Sequence, residues 1–212
     1  MIRRPPRSTQ GVSSAASDVY KRQNDSIATK TNRAKKMMLW FGMISMSMTF
    51  AGLTSAYVVS SSRSDWIQQI ELPFAFTLST ILIIFSSCTF YGGLKMMQKD
   101  KIRESLLLLL VTLVLAFAFV YFQFQGFSGL IDEGYYFTGP ESTITTSYLY
   151  VLVLLHLAHL TAGIIIVSNV FIRALKGRYI KGNTIGFELA LTFWHFLDIL
   201  WVYLFLFVSF YR

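Results

Sequence analysis

A single cysteine, Cys88, in 212 residues rules out an intrachain disulfide and leaves no thiol pair for a metal site. Acidic residues are scarce, 11 against 19 Lys and Arg. That surplus is not a nucleic-acid patch, because the basic residues sit almost wholly in alternate loops between apolar stretches. The amino end has no apolar h-region, so no cleavable signal peptide is expected. No HExxH motif, internal repeat or soluble domain can be read in the chain. What is abundant is apolar length. Hydrophobic residues make up 54% of the chain and the mean hydropathy is positive, which excludes an ordinary soluble domain.

The pattern predicts an all-α, polytopic membrane helix bundle with five spans, at about Met37–Val59, Pro73–Leu94, Ser105–Phe127, Tyr148–Ile172 and Ile185–Phe210. Residues 1–36 are read as a basic, disordered tail, and residues 37–212 as one transmembrane domain. The opening RRPPRSTQGVSSAASDVYKRQ resembles translated sequencing-adapter sequence joined upstream of a reading frame, and no function is expected there. In the first span small residues recur four apart, at Ser47, Ala51 and Ser55, with Gly52 and Ala56 beside them. Such a stripe predicts close approach of a neighbouring backbone. The fourth span carries Ala158, Ala162 and Gly163. The five leucines that open the third span read as lipid-facing, and its Tyr121–Phe124 end as an interfacial belt. Nine Lys and Arg in the tail, four in the second loop and four in the fourth place 17 on one side, against Arg63 and Arg212 on the other. The amino terminus is therefore expected in the cytoplasm and the carboxy terminus outside.

The fifth span is the informative one. It holds Glu188, His195 and Asp198, which fall within an arc of roughly 80° at about 100° per residue. Trp194 and Trp201 form a second stripe beside them. A charged group at membrane depth costs roughly 2.5–3.5 kcal/mol on insertion scales, so this face must meet protein or water. Protonation of a carboxylate here would lower that cost. His156 and His159 lie on nearly one face of the fourth span. Zinc would need a further ligand and an open position. A haem held between His195 and one of the other histidines is geometrically possible, but packing or lipid contact is the favoured reading. A proton relay through Glu188, His195 and Asp198 is disfavoured because the first three spans hold no ionisable side chain beyond Tyr and Cys. The preferred reading is an interhelical polar network, with the two histidines of the fourth span as candidate partners.

The segment LLHLAHLTAG, followed by ELALTFWHFLDILWVYLF, resembles subunit III of the haem-copper (cytochrome c) oxidases in its five-helix bacterial form. The matching positions are His156, His159 and Gly163, then Glu188, Trp194, His195, Phe196, Asp198 and Trp201; the first span adds Tyr57 and Arg63. The resemblance implies an accessory subunit with no haem, copper or other metal of its own and no catalytic residue. It implies packing beside oxidase subunits I and II, bound membrane phospholipid, and support of proton uptake and of complex stability in the bacterial inner membrane. The complex would take electrons from cytochrome c to oxygen with proton translocation. His156, His159, Glu188, Trp194, His195, Asp198, Trp201, Tyr57 and Arg63 become candidates for a lipid-binding or intersubunit polar seam. Met46 stands where the family commonly has a buried glutamate, so any role of that group does not carry over. A quinol oxidase or nitric-oxide-reductase accessory subunit is the nearest alternative. A small haem-binding cytochrome or transporter is the more distant one.

Overall fold

The computed structural model describes the backbone of residues 10–63, 66, 72–140, 142–177, 179 and 184–210, with side chains from residue 27 onward except residue 28. Arg178, Lys181 and Arg212, counted above in reading the orientation, lie outside the described residues. Contacts divide the chain into two units, residues 1–41 and 42–212, and the packing described here is that of the second.

All regular structure among the described residues is helical: α1 (Gln10–Ser60), α2 (Phe74–Gln98), α3 (Ile102–Asp132), α4 (Ile144–Leu175) and α5 (Ile185–Phe210). Each has a stretch long and apolar enough to cross a membrane, that of α1 being Thr29–Ser60. The tail expected to be disordered over 1–36 is instead helical from Gln10. Between Gly11 and Gly42 no Gly or Pro interrupts a run rich in Ala, Lys and Arg, so each further residue adds a backbone bond at little propensity cost. The helices also overrun the apolar spans by several residues at α3 and α4. The intrahelical ladder does not stop where the hydrocarbon does.

α2 and α3 form a tight hairpin, closed by a turn in which Asp100 adopts φ +61°. Inside it the Ser105 hydroxyl donates to the Gly93 carbonyl at 2.7 Å, and Thr89 and Thr112 share a hydrogen bond of 2.8 Å. α5 packs on α2 and α4, and α3 packs on α4. α5 runs antiparallel to α2, since Phe90 meets Phe187 and Trp194 while Thr80, earlier in α2, meets Trp201. Thr143 caps α4: its hydroxyl accepts from the Thr146 amide at 3.4 Å, and the Thr146 hydroxyl accepts from the Thr143 amide at 3.2 Å. Ahead of it, Tyr150 donates to the Tyr135 carbonyl at 3.0 Å and holds the acidic loop over the first turns of α4. In the turn after α4, the Tyr179 ring lies 5.8 Å from that of Phe187, and burial pushes its hydroxyl up against a smaller opposing pull from Arg173.

Small residues act at fewer places than their spacing predicts. Gly163 is the α4–α5 crossing, because a Cβ there would stand 2.8 Å from Leu197 Cδ1 and 3.3 Å from Trp194. Ala158 and Ala162 are exposed instead. In α1, Ser47, Ala51, Gly52 and Ser55 are exposed as well, and a Cβ on Gly52 would meet nothing within 4 Å. α1 meets its neighbours through long side chains, with Phe50 packed on Leu152, Leu200 and Leu204. The leucine run of α3 does not present one face. Leu107 is 63% exposed but Leu109 is fully buried, as a 100° step between residues requires.

Candidate functional site

The tryptophan stripe of α5 is a docking edge for α2. Trp194 Nε1 donates to Ser86 Oγ at 3.0 Å, and Trp201 Nε1 donates to Thr80 Oγ1 at 3.0 Å. Both hydroxyls have already given their one proton to their own helix, Ser86 to the Ile83 carbonyl and Thr80 to that of Phe76. Each therefore faces α5 as an acceptor only, and an indole is a donor only. From α3, the same logic joins Gln123 Nε2 to Ser79 Oγ at 2.8 Å, while Ser79 donates to the Phe76 carbonyl. Gln123, Ser79 and Ser86 are fully buried. None of these α2 hydroxyls stood out in the sequence, although Ser79 and Ser86 repeat the seven-residue spacing of Trp194 and Trp201.

The three ionisable residues of α5 do not form one network. Glu188 accepts from Thr184 Oγ1 at 2.9 Å within the first turn of the helix. His195, half-buried, has its Nδ1 hydrogen-bonded to the Ser87 hydroxyl of α2. Asp198 is buried, 4% exposed, and neither carboxyl oxygen has a hydrogen-bond partner. Ser87 and Asp198 share the wall of an open cleft of about 250 Å³, completed by Ile84, Ile199 and Val202.

The histidines of α4 face away from that cleft, so the expectation that they join the polar stripe of α5 is corrected: its partner helix is α2. His156 is fully buried, its ring 5.1 Å from Trp201 and 6.2 Å from Phe119, with both nitrogens unpartnered. His159 lies on the next face, where its Nδ1 pairs with the Leu155 carbonyl at 2.7 Å and its ring sits 5.7 Å from Phe50 of α1. Three residues of separation rotate the second ring by about 60°, enough to aim the two at different helices. Tyr57 is buried among Trp66, Tyr148 and Phe207, at 4.7, 6.1 and 5.5 Å. Arg63 is exposed beyond the end of α1. Met46 packs against both apolar clusters of the core. Among the described residues, no three His, Cys, Asp or Glu side chains converge as a ligand set.

Residues 44–212 match the family described as Cytochrome c oxidase subunit III. The chain is 25% identical to cytochrome c oxidase subunit 3 of Bacillus sp. (strain PS3) over 182 residues, covering 84% of this chain and 86% of that protein. It is 29% identical to cytochrome bo(3) ubiquinol oxidase subunit 3 of Pseudomonas aeruginosa, over 78% of this chain and 79% of the relative. Cytochrome c oxidase subunit 3 of Thermostichus vulcanus is 28% identical, over 77% of this chain and 80% of its own length.

Proposed function

The chain belongs to the cytochrome c oxidase subunit III family, and from that premise we propose that it is the accessory, non-redox subunit of a cytochrome c-driven oxidase. The haem and copper chemistry is assigned to the partner subunits I and II. This subunit packs beside the catalytic one, holds phospholipid against its spans, and sustains proton delivery over many turnovers. Its setting is the bacterial plasma membrane, with the amino terminus in the cytoplasm. The basic loops around Lys95–Arg103 and Arg173–Lys176 then face the cytoplasm, and the loop around Asp132 and Glu133 faces outward.

The observation that carries this reading is how the spans use their polar groups. Among the described residues, no hydrogen bond or ion pair joins any two of His156, His159, Glu188, His195 and Asp198. They are engaged singly, with a hydroxyl or a backbone carbonyl, or left without a partner. A proton relay needs a connected path, and a redox site needs ligands that converge. Indole–hydroxyl bonds between helices are what a packing subunit needs. The quinol-oxidase relative at 29% identity favours a second reading, in which the electron donor is a quinol and the rest stands.

The test is oxygen uptake by the purified oxidase with and without this subunit, using reduced cytochrome c and then a quinol as donor. The stripped core is expected to start at nearly the rate of the full complex and then to inactivate over successive turnovers. Loss of a catalytic group typically removes orders of magnitude from the first turnover onward. An initial rate near zero in a fully haem-loaded core, restored by adding the subunit, would refute the accessory role. For orientation, a cysteine at Thr138 should react with an impermeant maleimide in intact cells, and one at Lys176 only after lysis. The reverse pattern overturns the placement.

A further inference from the structure

The packing just described leaves Asp198 unexplained. A buried carboxyl without a hydrogen-bond donor is costly in any protein interior and more so between transmembrane helices. Of the residues lining the cleft only Ser87 bears a hydroxyl, and it is shared with His195 Nδ1, so its single proton leaves at least one carboxyl oxygen without a donor; the other walls are the aliphatic side chains of Ile84, Ile199 and Val202. The cleft opens sideways, for Ile84 is 46% and Ile199 69% exposed. Its depth then restricts what can fill it. Asp198 stands 13 residues from Ile185 and 12 from Phe210, roughly 20 Å and about 18 Å from the two ends of α5 at 1.5 Å per residue. The opposite wall is equally central, since Ser87 lies 13 residues into α2 and 11 from its end. A phospholipid headgroup stays at the interface and does not reach such a depth, and acyl chains offer no donor. A side chain from another transmembrane helix does reach it.

We propose that the α2–α5 cleft is the face on which this subunit receives a transmembrane helix of a neighbouring oxidase subunit, which inserts one hydrogen-bond-donating side chain to meet Asp198. The inference rests on the accessory-subunit reading and adds to it the docking face and the chemistry of the contact. A volume of about 250 Å³ holds one large side chain, and the lining calls for a particular kind. It must have an apolar stem to lie against Ile84, Ile199 and Val202, and an N–H or O–H at its end. Tryptophan, tyrosine, glutamine, lysine and arginine satisfy that; leucine and phenylalanine do not.

A photo-crosslinking amino acid at Ile199, on the rim of the cleft, tests this in the intact complex purified from membranes. Leu107, exposed on α3, is the control position. Ile199 is expected to give an adduct with a second polypeptide, and peptide mapping should place it within a transmembrane helix that carries a polar residue at mid-depth. Leu107 should give lipid adducts. Lipid-only adducts at Ile199, while the subunit still purifies with the oxidase, overturn the docking face and leave the accessory reading intact. Failure of the chain to purify with an oxidase at all overturns both. Retention in a detergent titration is the second readout. Asp198→Leu should weaken it about three-fold, and up to about twenty-fold at the strong end of measured membrane hydrogen bonds. Asp198→Asn keeps an acceptor and should retain most of the binding. Asp198→Leu retained as well as the unaltered chain refutes the contact.

Discussion

Substituting Gly163 by alanine tests the packing at its tightest described interhelical point between α4 and α5. The added methyl would lie 2.8 Å from Leu197 Cδ1 and 3.3 Å from two carbons of the Trp194 ring. Carbon atoms meet comfortably at 3.5–4.0 Å, so something must yield by most of an ångström. Leu197 has no free space to swing into, being fully buried. Trp194 is fully buried too, and its indole is tied to Ser86. The strain therefore passes to the helix axes or to that hydrogen bond. Overpacking of this kind costs about 1–3 kcal/mol, a factor of roughly 5 to 160 in the folding equilibrium. Gly52→Ala is the matched control: on α1, where nothing lies within 4 Å, the same substitution should gain roughly 0.5–1 kcal/mol from helix propensity alone. The assay is unfolding of the purified subunit in mixed micelles of rising SDS content, followed by tryptophan fluorescence, which Trp194 and Trp201 dominate by their burial. Opposite signs for the two variants are the expected result. If Gly163→Ala is as stable as the parent, or if Gly52→Ala is equally damaging, the α4–α5 crossing is not where these contacts put it.

Two further substitutions separate polar groups that hold the bundle from one that does not. Thr80→Val removes the acceptor for Trp201 at nearly constant shape and leaves an indole N–H stranded in a dry interior; a loss of about 1–3 kcal/mol is expected in the same SDS titration, and no loss would show that the bond contributes nothing. His156→Phe should be neutral or stabilising, because it replaces a ring with two unpartnered nitrogens by an apolar ring in an aromatic cage. A clear destabilisation by His156→Phe would mean that those nitrogens are hydrogen-bonded within the bundle, against the packing described.

The number and order of the spans were legible in hydropathy, and the fifth was placed to the residue, from Ile185 to Phe210. The polar groups of α5 stood out too, since two carboxylates, a histidine and two tryptophans are conspicuous among leucines and phenylalanines. What they touch did not. The histidines of α4 looked like natural partners because they are ionisable, yet the partners are Ser86, Ser87 and Thr80 of α2. Serine and threonine are easy to pass over, because in a membrane span they can satisfy themselves on their own backbone. Small-residue spacing likewise overpredicted close packing. It marks where backbones are able to approach, but of the small residues that spacing singled out Gly163 has bulky neighbours against it while Gly52 has none, and the tight approach of Gly126 to Phe76 had no such spacing to announce it. The helical stretch before residue 37 was missed for the opposite reason. Low hydrophobicity removes the drive to fold into a core but does nothing to interrupt a helix already begun in the adjoining span.

The choice of indole and hydroxyl at the α2–α5 contact has its own physical sense. A carboxylate and a cation would give a stronger pair, but each pays several kcal/mol to leave water, and loss of either strands the other. A neutral donor such as Trp Nε1 brings a ring that fills the interface, so that one residue supplies both apolar contact and direction. Placing donors seven residues apart in α5 opposite acceptors six apart in α2 fixes register without a buried charge. A slip by one turn would cost both bonds together. Asp198 stands apart as the buried acidic group in a bundle whose described helix-to-helix hydrogen bonds are made by neutral groups. Within the chain it has at most a share of the Ser87 hydroxyl, which does not satisfy two carboxyl oxygens, so its use is sought outside the chain. That separates the two classes of polar residue on one helix: Trp194 and Trp201 belong to the fold and should tolerate only changes that keep the bond, whereas Asp198 belongs to the assembly and should matter only when the partner helix is present.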